Sequence, residues 1–87
     1  MKKVDFTKIM IVDVEGHEVA ADIAAQLGNM MYMQGQSIDE CELGRDIYHS
    51  QGEMELSDKQ SKIIERMADG MKYVLRKALK DAVKHDD

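Results

Sequence analysis

The sequence predicts an α+β fold: an N-terminal β-hairpin packed on two short helices and one long C-terminal helix, with residues 53–56 available as a third short strand. Three observations predict it. A β-branched run, Ile9, Ile11, Val12 and Val14, meets Glu15-Gly16-His17 and resumes at Val19, as in a hairpin. From Ala20 the apolar spacing changes from two to three and four. Ser57-Asp58-Lys59-Gln60 then has the reciprocal spacing of a capping box and opens an apolar phase that runs on to Val83.

In the hairpin, Gly16 supplies the positive φ that a tight turn needs. The first helix is predicted from Ala20 to Gly35, with Ala20, Ile23, Ala24, Leu27, Met30 and Met31 recurring on one side. At about 100° per residue from Ile23, Met30 and Met31 fall in the core, Met33 at its margin and Tyr32 directly opposite. Gly28 is a poor interior helix residue unless another backbone packs closely there. Ser37 is the expected N-cap of the second helix, with Glu40 as its capping-box partner and Asp39 in the first turn. Cys41, Gly44, Ile47 and Tyr48 form its expected inner stripe, beside Leu43, and Gly52 marks its exit. The apolar residues Ile63, Ile64, Met67, Met71, Val74, Leu75, Ala78, Leu79, Ala82 and Val83 keep helical phase through Gly70, which favours one helix from Asp58 to Lys84, about 40 Å long. A break at Asp69-Gly70 is the alternative, and residues 85–87 form an expected frayed tail.

With 87 residues the chain makes one domain, 1–87. It has no Pro or Trp and one Phe, so eight methionines and the aliphatic residues must fill the interior. The lone Cys41 cannot form an internal disulfide, and early acidic residues argue against a signal peptide. No segment reaches the ~18 apolar residues of a membrane span. A soluble, cytoplasmic protein is the expectation, with no membrane partner. Net charge is −5 and unevenly spread. Residues 39–58 hold seven carboxylates against Arg45, a balance of −6, and residues 72–84 hold five basic residues against Asp81, a balance of +4.

These patterns exclude more than they specify. Met30, Met31, Met33, Cys41 and His49 include soft-metal donors, but helical phase already assigns Met30 and Met31 to the core, so no metal or cofactor is expected. Cys41 and His49 would stand about 12 Å apart along one helix, too far for a nucleophilic dyad. Neither a phosphate loop nor a dinucleotide fingerprint occurs, and no enzymatic activity is expected. Candidate protein-binding residues are Glu40, Glu42 and Asp46 on the acidic segment, exposed Tyr32, and Leu75 and Leu79 on the C-terminal helix. Lys72, Arg76, Lys80 and Lys84 recur every four residues as a candidate basic face, suited to an acidic protein and less well to nucleic acid.

The stretches "VDVEGHEV", "IAAQLGNMMYMQG" and "GEMELSDKQSKIIERM" resemble small uncharacterised proteins of bacterial prophages and mobile elements. That resemblance implies an accessory protein acting on a host or phage protein and carries no functional residues with it. The expectation is thus a non-enzymatic protein-binding module, with a dimeric DNA-binding regulator or a structural oligomeric subunit as alternatives. Either a protein partner or self-association follows.

Overall fold

A computed structural model describes residues 2–83 and has an α+β fold. Two two-stranded antiparallel sheets share the core with four helices. Strand β1 (Lys2–Asp5) is absent from the sequence-based expectation. It pairs with β4 (Glu53–Leu56), Lys2 opposite Leu56 and Asp5 opposite Glu53. Residues 53–56 are therefore a strand, as expected, but they lie beside the N-terminus and not beside the hairpin. Pairing here buries Val4 and Leu56 on one side and leaves Lys3 facing Glu55 at the surface.

The hairpin consists of β2 (Ile9–Val12) and β3 (Glu18–Ala21), Ile9 opposite Ala21 and Val12 opposite Glu18. Its turn is built locally. Asp13 Oδ1 accepts from the N–H groups of Glu15 and His17, the Gly16 N–H donates to the Asp13 carbonyl, and Gly16 takes φ of 85°. The strand runs to Ala21, so helix α1 (Ala24–Gln34) starts four residues later than periodicity indicates. Helix α2 (Ile38–Tyr48) follows after three residues, and its Ser37 Oγ accepts from the Glu40 N–H as predicted.

The predicted single C-terminal helix is two: α3 (Asp58–Ala68) and α4 (Tyr73–Val83). The capping box is present, with Ser57 Oγ accepting from the Gln60 N–H and Gln60 Oε1 from the Ser57 N–H. At the other end, Gly70 and Met71 donate to the carbonyls of Met67 and Ala68, bonds that tighten the final turn and end the helix. The reason for the break is coverage. A straight helix would carry Leu79 and Val83 beyond the core, whereas reversal at residues 69–72 buries both completely, and Lys80 closes the turn on Asp69 at 2.5 Å. Apolar phase persists through Gly70 because both halves face the same interior.

That interior comprises Val4, Phe6, Ile9, Ile23, Leu27, Met31, Leu43, Ile47, Leu56, Ile64, Leu79 and Val83 with three alanines. Among the described residues, no helix is long and apolar enough to cross a membrane.

Candidate functional site

Helices α1 and α2 form an antiparallel pair whose crossing has no side chain in it. A Cβ at Gly28 would lie 2.5 Å from the Gly44 carbonyl oxygen and 2.5 Å from the Tyr48 nitrogen. At Gly44 it would lie 2.8 Å from the Gly28 oxygen. The glycines permit backbone contact, so the neighbouring long side chains stand up as walls. Tyr32 and Asn29 rise from α1, and Arg45, Tyr48 and His49 from the α2 side, around a cavity of about 220 Å³ floored by Gly28.

The walls are ordered by their own contacts. The Arg45 guanidinium lies 5.7 Å from the centre of the Tyr32 ring, a cation–π contact, and His49 meets Tyr48 edge-on at 5.1 Å. Beyond Arg45 the depression continues past Glu42 and Cys41 to Ile38, which is 75% exposed. Ile38, Cys41, Arg45 and Tyr48 recur at spacings of three, four and three, so one stripe of α2 lines the whole groove. The Cys41 thiol donates to the Tyr32 carbonyl at 3.4 Å. Glu42 and Asp46 are exposed on the same helix and make the surroundings acidic.

Sequence-predicted residues divide sharply here. Tyr32, Glu42 and Asp46 are at the surface as expected, but Glu40 is not. Its carboxylate accepts from Ser37 Oγ at 3.0 Å and the Gln36 N–H at 3.2 Å, and it pairs with Arg66 of α3. Burial disfavours the charged form of Glu40, yet those hydrogen bonds and the Arg66 charge outweigh it and hold the carboxyl below the ordinary range. Glu40 fastens α2 to α3, aided by Asp39 and Lys59 at 2.7 Å, and offers nothing to a partner.

Leu79 is fully buried and Leu75 half-buried, which removes Leu79 from the candidate surface. Leu75 instead helps wall an apolar groove with Ile11, Met30, Met71 and Val74. Two of the four basic-face residues are engaged within the chain: Arg76 lies over Tyr73 at 5.6 Å, and Lys80 pairs with Asp69. Lys72 is exposed, and Lys84 lies outside the described residues, as do residues 85–87.

The methionine run does not act as a unit. Met31 is fully buried, Met30 half-buried and Met33 73% exposed, because α2 packs on the Gly28–Met31 side and turns the buried arc away from Met33. Among the described residues, no three of His, Cys, Asp and Glu converge as metal ligands would. The sequence gives no binding role to Arg45 or Ile38 and weighs His49 only as a metal donor or dyad partner, and the expected inward position of Tyr48 gives way to a half-exposed one. The α2 stripe itself was the available signal. Comparison with family models, curated proteins and solved structures gives no match.

Proposed function

We propose that this protein is a non-enzymatic protein-binding module that receives its partner on the α1–α2 groove. The observation that carries the proposal is the Tyr32–Arg45–Tyr48 arrangement, held half in solvent over a glycine floor. Tyrosine and arginine supply much of the binding energy where protein surfaces meet, and they do so from rigid, preordered positions. The 220 Å³ cavity is smaller than the ~300–1,000 Å³ typical of small-molecule sites. It suits one apolar or aromatic anchor side chain of a partner, and exposed Glu42 and Asp46 favour basic residues flanking that anchor. The prophage-like sequence pattern supports a host or phage protein as that partner.

The alternative of a DNA-binding regulator receives less support, because Arg76 and Lys80 are engaged within the chain, as is Lys77 with Asp81 at 3.4 Å. A photoreactive phenylalanine analogue in place of Tyr32 should trap the partner in a bacterial lysate, whereas the same analogue in place of Lys62, exposed on α3, should not. Equal trapping from both positions, or trapping from Lys62 alone, refutes the groove as the binding surface.

A further inference from the structure

Strand β3 is an edge, and hydrogen-bond parity fixes which of its backbone groups face outward. The Asp13 N–H donates to the His17 carbonyl at 2.9 Å, so residues 17, 19 and 21 turn their backbone groups toward β2. Glu18 and Ala20 consequently direct theirs away from it. Among the described residues, no turn, loop or side-chain hydrogen bond takes up those outward groups, and Glu18, Val19 and Ala20 are all exposed. Edge strands are usually guarded by lysine, proline or a bulge. Here the pairing with β2 is unbroken over four residues, and the strand reads Glu-Val-Ala-Ala.

We propose that β3 pairs antiparallel with β3 of a second copy of this chain, across a twofold axis at Val19. Parity and charge select that register. Only registers that match even-numbered residues with even-numbered residues join outward groups to outward groups. Centring on Glu18 sets Glu18 against its own copy, and centring on Ala20 sets Glu18 against Asp22. Centring on Val19 sets each Glu18 opposite Ala20 and keeps the two Glu18 Cα atoms about 8 Å apart by strand spacing and rise. The two Val19 residues then form a non-hydrogen-bonded pair, the arrangement that brings side chains closest. Val19 is 49% exposed in the single chain and shares its face of the hairpin with Ile11 and Ala21, which border the apolar groove of about 710 Å³. The pairing therefore extends an apolar surface already present and turns two hairpins into one four-stranded sheet.

Light scattering over a concentration series should show mass rising from 9.9 kDa toward twice that value. Val19→Lys, which opposes two like charges on the axis, should hold the mass at 9.9 kDa with unchanged circular dichroism. As a register test in a Cys41→Ala background, Val19→Cys should cross-link under mild oxidation, since a Cα separation of about 4.5 Å suits a disulfide. Ala20→Cys should not. A monomer up to millimolar concentration overturns the proposal, including one that binds extended peptides from other proteins. So does a dimer that survives Val19→Lys, or equal cross-linking from the two cysteine positions.

Discussion

Adding one methyl group at Gly28 should cost more stability than most substitutions at an internal helix position. The new Cβ would meet the Gly44 oxygen and Tyr48 nitrogen at 2.5 Å and the Tyr48 Cα at 2.7 Å, where ordinary contact begins at 3.4 Å. All three atoms are backbone, so no rotamer change can relieve the clash. The helices must part by up to about 0.9 Å, the shortfall of 2.5 Å from 3.4 Å. Overpacking costs ~1–3 kcal/mol, and rigid neighbours place this case near the upper end. Alanine recovers ~1 kcal/mol of helix propensity, leaving a net loss of about 2 kcal/mol. At ~4–8 °C per kcal/mol for a domain of this size, Gly28→Ala should lower Tm by roughly 8–16 °C. Urea and thermal unfolding followed by circular dichroism would measure it. Gly70→Ala is the control, because its Cβ would meet only the Met67 oxygen at 3.6 Å and φ is not positive. It should leave stability unchanged or raise it by up to ~1 kcal/mol. A Gly28→Ala protein as stable as Gly70→Ala would refute the close helix crossing and the groove built on it.

Leu79→Ala should destabilise by ~2–5 kcal/mol in urea titrations, and Leu75→Ala by clearly less, since only Leu79 is fully enclosed; equal losses would contradict the placement of α4. Ser61 Oγ is buried with no hydrogen-bond partner among the described residues, so Ser61→Ala should be neutral or stabilising, while Ser57→Ala should cost ~1 kcal/mol by removing the α3 cap. Glu40 has a depressed pKa when folded, so its stabilising contribution is complete above the ordinary carboxylate pKa and is lost as pH falls through that value toward the folded one. The gap in urea midpoint between the natural protein and Glu40→Gln should accordingly be widest at neutral pH and narrow as pH falls below the ordinary carboxylate range, and a constant gap would argue against the Arg66 tie.

The elements legible in the sequence were those specified by near neighbours. The Gly16 turn needs only Asp13 and His17, and the α3 cap only Ser57 and Gln60, so spacing sufficed for both. Strand β1 has no local signal, because its short Lys-Lys-Val-Asp sequence acquires order from residues about fifty positions away. The α3–α4 reversal was only an alternative, since helical phase is the same whether the halves run straight or fold back upon one core. For the groove, phase placed Tyr32 outside correctly but could not anticipate that contact at Gly28 and Gly44 would leave Tyr48 half exposed. Glu40 looked like part of a solvated acidic face because Arg66, which captures it, lies 26 residues further on.

The pairing of β1 with β4 has a temporal side. Asp5 and Lys2 meet Glu53 and Leu56, partners 48 and 54 residues further along the chain. At a synthesis rate of ~10 residues per second, about five seconds separate the appearance of a strand from that of its mate. Val4 and Phe6, both buried at the end, spend that interval without their final cover. The α1–α2 pair, by contrast, draws on contacts within one short stretch and can close early. Lys2 and Lys3 adjoin the waiting apolar residues, and charge beside exposed apolar side chains opposes association between chains.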